Sequence, residues 1–244
     1  MSENYTTRYP AKRLRSTGEF EDTEVLLARE VPVKLFLDGK FFTTLFTSPL
    51  ELKELAIGHL ITEGILKFSD IGSAEVKKDE IHILARQGNL LFKNKEKELD
   101  LDIFVKSDAV FNLEAVIAGT NYLESETYKL TRGTHLAALI DKKGKLAVQI
   151  IDVGRHNAVD KVVGAAFLQG FDISQLYLLS TGRQPAYMIT KAARAGIPLI
   201  ATKAMPFDSG VEAAKKANVC LVGQLRKEAM LVFANEWRIS LNRN

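Results

Sequence analysis

One stretch constrains this chain more than any other: Asp152-Val153-Gly154-Arg155-His156-Asn157-Ala158-Val159-Asp160-Lys161. A mostly apolar run, Leu146 to Ile151, predicts a buried strand leading into it. Apolar residues then recur at Val159, Val162, Val163, Ala166 and Phe167, which is helical spacing. A dense polar cluster therefore sits where a strand hands over to a helix. Asn157 is the expected N-cap, and Asp160 suits the positive end of the helix dipole. Gly154 lets the backbone approach a ligand closely. Arg155, with the first amides of the helix, suits an anion. Arg, His, Asn, Asp and Lys crowded into one turn point to a binding role.

From here the pattern alternates. Leu176–Ser180, Ile197–Thr202 and Val219–Gly223 read as strands, and residues 158–170, 185–195 and 209–216 as helices, with Ser209 as a cap. Ala229–Ala234 reads as an added edge strand. Such a run predicts an α/β fold with a mainly parallel C-terminal sheet. The turns after its strands then share one edge, where open α/β sheets bind ligands. They carry Gly154, Arg155 and His156; Thr181, Gly182 and Arg183; Lys203; and Gln224 and Arg226. A cation from each of four turns argues for a ligand with several phosphates. The overall balance, 33 Lys plus Arg against 30 Asp plus Glu, is too even to argue for a nucleic-acid partner.

The first half reads differently. Residues 1–21 form a polar, basic arm, expected as a loose solvated tail or, as the alternative, a short edge strand. Residues 22–130 form a smaller β-rich N-terminal part, and 131–244 the α/β part that holds the binding site. Val31–Leu37 and Phe41–Phe46 flank Asp38-Gly39, a hairpin signal. Ser48, Pro49 and Glu51 have the spacing of a capping box, so a helix is expected over 49–66, with His59 as a structural residue on it. Glu75–Lys77, Ile81–Ala85 and Asn89–Phe92 read as meander strands, Lys93–Asp102 as a solvated loop, and Asn112–Lys129 as one helix. Thr131-Arg132-Gly133-Thr134-His135 is a polar loop feeding the strand Leu136–Ile140, which puts His135 at a strand mouth.

Several chemistries are excluded. No phosphate-binding G-x-x-x-x-G-K-[ST] loop and no G-x-S-x-G elbow occurs. The zinc deaminase pattern, H-x-E with P-C-x-x-C, is absent. The four histidines (His59, His82, His135 and His156) have no metal-ligand spacing, so no metal site is expected. The one cysteine, Cys220, lies within an apolar strand and is expected to be an inert thiol. No run approaches about 18 apolar residues, and Met1–Phe20 lacks a signal-peptide core. A soluble, cytoplasmic protein without membrane insertion is the expectation.

Together these motifs resemble the formate dehydrogenase accessory proteins, the FdhD/NarQ family. Glu30-Val31-Pro32-Val33 is similar to the family's early strand, and Thr47-Ser48-Pro49 with Leu55–Leu60 and Glu63-Gly64-Ile65 to its first helix. Gly133–Leu139 is similar to its Gly-Gly-x-His-x-Ala stretch. Asp152–Lys161 resembles its Asp-Val-Gly-Arg-His-Asn-Ala-x-Asp-Lys signature. Thr181-Gly182-Arg183 with Lys191, and Leu221-Val222-Gly223 with Arg226, continue the likeness. The resemblance implies a cytidine-deaminase-like layered fold without zinc, a homodimer, and a cytoplasmic role in maturing formate dehydrogenase. In that role sulfur passes from a cysteine desulfurase to the metal of a bis(molybdopterin guanine dinucleotide) cofactor. Guanine nucleotides would mimic its ends.

Carried onto this sequence, the expected binding residues are His135, Gly154, Arg155, His156, Asn157, Asp160, Lys161, Thr181, Gly182, Arg183 and Lys191. The resemblance adds Gln224, Leu225, Arg226, Lys227, Glu228 and Ala229. The chain departs from the family where a Cys-Gly-x-Cys-Gly loop should carry a persulfide; it reads Phe104-Val105-Lys106-Ser107-Asp108-Ala109-Val110-Phe111. Arg132 replaces the first of the paired glycines, and Ile151 the acid before Asp152. No catalytic residue is assigned. Three readings follow: a sulfurtransferase supplied by another thiol, a non-catalytic chaperone for the cofactor, or a nucleotide-binding regulator unconnected with molybdenum.

Overall fold

The computed structural model describes residues 4–86 and 103–241, so the strand expected at Asn89–Phe92 and the loop at Lys93–Asp102 lie outside the described residues. The arm is not a loose tail. β1 (Thr6–Leu14) and β2 (Phe20–Ala28) form an antiparallel hairpin, with Lys12 facing Asp22 at 2.6 Å. β3 (Val31–Leu37) and β4 (Lys40–Thr47) follow, joined by Asp38 (φ 49°) and Gly39 (φ 75°). Two consecutive left-handed residues make the mirror-image turn whose twist suits a hairpin.

The expected helix at 49–66 is shorter: α1 spans Leu52–Thr62. The capping box does not form. Glu51 sits at the cap with φ 49° and gives α1 no side-chain cap; its carboxylate instead accepts from the Tyr5 hydroxyl at 2.7 Å. The Ser48 amide donates to Asp152 at 3.0 Å, and the Ser48 hydroxyl accepts from the Val153 amide at 3.2 Å. The hydroxyl that would cap α1 is taken by a distant amide. β5 (Ile71–Lys77) and β6 (Glu80–Ala85) complete a four-stranded sheet in the order β4-β3-β6-β5.

The helix expected over Asn112–Lys129 is broken. β7 (Phe111–Asn112) leads into α2 (Leu113–Ala118), a 3₁₀ stretch (Gly119–Tyr122) follows, and α3 covers Glu126–Thr131. The break falls at Gly119, where a Cβ would stand 2.4 Å from the Tyr177 hydroxyl. Ser125 starts α3 afresh by accepting from the Tyr128 amide at 3.3 Å.

The second half then alternates as expected: β8 (His135–Asp141), β9 (Leu146–Asp152), α4 (Arg155–Leu168), β10 (Leu176–Ser180), α5 (Ala186–Arg194), β11 (Leu199–Thr202), α6 (Asp208–Lys216), β12 (Cys220–Gly223), β13 (Leu231–Ala234) and β14 (Ile239–Ser240). Six of these strands form one sheet, ordered β13-β12-β11-β10-β8-β9. β10, β11 and β12 pair in parallel. β8 runs antiparallel to both β9 and β10, so β9 points the same way as those three. The turns after β9, β10, β11 and β12 therefore share one edge, joined by the start of β8. Two caps differ from expectation. Gly154, not Asn157, caps α4, and Phe207 precedes α6, leaving Ser209 inside the helix.

α1, α4, α5 and α6 cover one face of this sheet, and Val33, Leu35, Leu37, Ile81 and Ile83 of the small sheet join the same core. Phe111, Val116 and Tyr177 fill a second core on the other face. α1 and α4 touch backbone to backbone. A Cβ on Gly164 would lie 2.0 Å from the Glu54 carbonyl oxygen, and one on Gly58 1.7 Å from that of Asp160. We predict that Gly164→Ala destabilises the chain by about 3 kcal/mol through overpacking. A urea-unfolding midpoint equal to that of the unaltered chain would contradict this.

Candidate functional site

Asp152, at the end of β9, is fully buried, and a buried carboxylate must be satisfied. It accepts from the Thr47 hydroxyl (2.6 Å), the Ser48 amide (3.0 Å), the Gly154 amide (2.8 Å) and the Asn157 side chain (3.1 Å). The Lys161 ammonium lies 2.8 Å away. Asn157 also donates to the Phe46 carbonyl at 2.7 Å, and lies inside α4, which begins at Arg155.

A second cluster lies further along α4. Asp160 accepts from the Thr62 hydroxyl at 2.6 Å and pairs with Lys191 at 2.8 Å and His59 at 3.1 Å. Burial pushes the Asp160 carboxyl up, but Lys191 and His59 outweigh it and hold the group below the usual carboxylate range. Lys191 also pairs with Glu63 at 3.0 Å, and Glu63 accepts from the Tyr187 hydroxyl. Asp160, Lys161 and Lys191 were all expected to face a ligand. All three are buried and paired inside the protein, so they hold α4 against α1, α5 and the end of β4. Leu225 is likewise a core residue.

What remains of the expected set meets at the shared sheet edge. Gly182 packs on Arg155 so closely that a Cβ there would stand 3.0 Å from the arginine side chain. The Arg155 Nε is buried without a hydrogen-bond partner. His135 Nδ1 lies 3.4 Å from the Thr181 hydroxyl, which accepts from the Leu136 amide at 3.0 Å. Burial, with Arg155 nearby, lowers the His135 pKa. Gln224 has φ 47°, a left-handed conformation that turns the chain sharply after β12. Arg226 thereby folds back and donates to the Lys203 carbonyl at 2.8 Å. Gln224, Arg226 and Ala229 line an open cavity of about 260 Å³, while Lys227 and Glu228 are exposed. Arg183 is exposed, its guanidinium 5.0 Å above the Phe207 ring. His156 packs on Tyr187, ring centroids 5.8 Å apart.

A second cavity, about 90 Å³, was not expected. Ser125 and Tyr128 of α3, Thr134, His135, Thr181 and Lys203 line it, with Leu123 and Leu136. The Thr134 hydroxyl is buried without a partner. Lys203 was legible as one of the basic turns. Tyr128 and Ser125 had no such signal, because a helix break puts them here.

The segment in place of the expected cysteine loop is a pinned strap. The Val105 amide donates to Ala217, the Ser107 hydroxyl to Ser174, and the Arg238 guanidinium to the Ala109 carbonyl (3.0, 2.7 and 3.0 Å). Cys220 is fully buried, and burial pushes its thiol up to about 12.

We predict that Lys161→Met, which strands a buried carboxylate, costs about 3–5 kcal/mol, whereas Arg226→Ala on the exposed loop changes stability by less than about 0.5 kcal/mol. Equal losses in chemical denaturation would refute this division into buried structural cations and exposed ones. A further prediction concerns pH. Burial, with Arg155 and Lys191 nearby, pushes the His156 imidazole from 6.5 down to about 4. A histidine neutral in the fold stabilises fully above pH 6.5, and that contribution is lost as pH falls toward 4. Discounted for partial exposure, the loss from pH 7 to 5 is about 1 kcal/mol. It is measured as the difference in unfolding free energy lost by the native chain and by His156→Asn; identical losses would exclude it.

The FdhD/NarQ family profile matches residues 28–107 and 85–240. Protein FdhD of Methanocaldococcus jannaschii is 32% identical over 221 residues, spanning 89% of this chain and 92% of its own. The Bacillus subtilis protein named sulfur carrier protein FdhD is 27% identical over 245 residues, spanning 91% and 93%. The crystal structure of a protein from Desulfotalea psychrophila, assigned as a formate dehydrogenase accessory protein, has a TM-score of 0.85 and 26% identity, covering 97% of this chain and all of that one. No helix among the described residues is long and apolar enough to cross a membrane. Matched along most of its length in sequence, and in fold by a solved structure, this chain belongs to the FdhD/NarQ family.

Proposed function

We propose that the chain serves formate dehydrogenase maturation by holding the guanine-nucleotide ends of a bis(molybdopterin guanine dinucleotide) cofactor on the shared edge of its six-stranded sheet. The observation that carries this reading is the buried, unpartnered Nε of Arg155 beside Gly182. An unsatisfied buried donor costs about 1–3 kcal/mol, a cost that a phosphate oxygen relieves. Arg226 and Lys203 supply further cations on neighbouring turns. Each copy of the chain offers one such edge and the cofactor has two nucleotide ends, so the reading includes a homodimer, acting in the cytoplasm. Its partners are formate dehydrogenase and a cysteine desulfurase.

The sulfur step is delegated. A carrier needs an exposed thiolate, and the one thiol of this chain is buried and its pKa raised. Sulfur then reaches the bound cofactor from a partner's cysteine, which makes this chain a cofactor chaperone.

We predict that GDP binds, and that Arg155→Ala weakens its affinity by about 1.5–3 kcal/mol in calorimetry. Unchanged affinity would remove Arg155 from the site. Incubation with a cysteine desulfurase and cysteine is expected to add no sulfur to the intact mass. A gain of one sulfur atom, lost in Cys220→Ser, would restore the chain to the sulfur carriers.

A further inference from the structure

We propose that Thr202 and Gln184 are positioning residues: they lock the Gly182 carbonyl inward, which turns the Arg183 amide outward as a fixed donor for a phosphate oxygen beside Arg155. This rests on the nucleotide reading above and deepens it. The turn after β10 reads Thr181-Gly182-Arg183-Gln184. Its Gly182 carbonyl accepts twice, from the Thr202 hydroxyl at the end of β11 and from the Gln184 side chain, each at 2.8 Å. The Gly182 amide donates to the Ser180 hydroxyl at 3.1 Å. Ser180, Gln184 and Thr202 are all buried. The Thr202 oxygen accepts from the Ala204 amide at 3.1 Å, which leaves its one proton for the Gly182 carbonyl. Gln184 is held in turn. Its own carbonyl accepts from the Phe207 amide at 3.2 Å and packs on Gly210 of α6, where a Cβ would stand 2.1 Å away.

The peptide between Gly182 and Arg183 is trans, so its carbonyl and the following N–H point in opposite directions. With the oxygen drawn toward buried groups, the Arg183 N–H is aimed to the other side, on an exposed residue. Among the described residues no acceptor meets that amide. A backbone N–H is an obligatory donor, so this one is open to a ligand. Arg155 lies against the same glycine. A Cβ on Gly182 would stand 3.0 Å from the arginine side chain, whose Nε is buried without a partner. Two unmatched donors from two turns thus flank one residue, an arrangement that suits an anion. A donor fixed before binding spares the cost of ordering it. Thr202 and Gln184 do not touch the ligand; they act through Gly182.

The test is calorimetry on the full chain with GDP and with guanosine, which lacks the phosphates. Thr202→Val keeps the shape and removes the hydroxyl. It is expected to weaken GDP about tenfold, the scale of one hydrogen bond to a charged group, and to leave guanosine unchanged. Thr202→Ser keeps the donor and should hold GDP within about threefold of the unaltered chain. Gln184→Met should repeat the valine result. A second readout needs no variant: the Arg183 amide proton resonance should move downfield with GDP and stay in place with guanosine. Equal weakening of GDP and guanosine in Thr202→Val would make Thr202 a general support of the fold, and the inference falls. It falls too if the serine variant is as weak as the valine one, or if the Arg183 resonance ignores GDP. GDP binding that Arg155→Ala weakens and Thr202→Val does not overturns the inference alone. No binding of GDP overturns the nucleotide reading and this inference with it.

Discussion

The carboxylate of Asp152 organises the site. Removing such a charge from water costs several kcal/mol unless it is fully paired. The five donors that satisfy it come from the end of β4, the turn after β9 and the body of α4. That turn can therefore take few shapes. With Asp152 and Asn157 pointing inward, Arg155 is left beside Gly182 on the sheet edge. The Asp160–Lys191 cluster does the same one turn further on, tying α4 to α1 and α5. The close approach of α1 and α4 at Gly58 and Gly164 brings their backbones into contact at Asp160 and Glu54. The polar motif is thus two devices interleaved, one that clamps and one that presents.

This interleaving explains what the sequence could and could not tell. Strand directions were legible, because buried parallel strands read as apolar runs between helices, and so was the shared edge. The division of labour within the motif was not. Arg155 and Lys161 are both cations near one turn, and only the packing of α1 over α4 decides which turns inward. A signal was nonetheless present. Ala158 to Ala166 is apolar all round except for Asp160 and Lys161, and a helix apolar on every side is buried, so its charges had to be paired. The capping expectations failed for tertiary reasons. The Ser48 hydroxyl accepts from the Val153 amide, over a hundred residues away, and α4 starts before Asn157, whose side chain donates to Asp152 and Phe46. The cavity under Tyr128 stayed hidden because it depends on a helix break at Gly119, where the distant Tyr177 leaves no room for a side chain.

The strap, in place of the expected cysteine loop, is built differently from the sheet edge. Val105, Ser107, Ala109 and Phe111 point inward while Lys106, Asp108 and Val110 are exposed, a strand-like alternation. Phe111 packs edge-on against Tyr177, ring centroids 5.5 Å apart. A segment held this way closes the second core. Yet among the described residues none of the hydrogen bonds that position His135, Thr181 or Arg226 reaches it. Those bonds run between turns of the sheet edge, and the clamp behind them is built on Asp152. The sheet edge and the strap therefore rest on separate parts of the chain. The proposed binding role draws on the first, secured by buried charge, and needs nothing from the second.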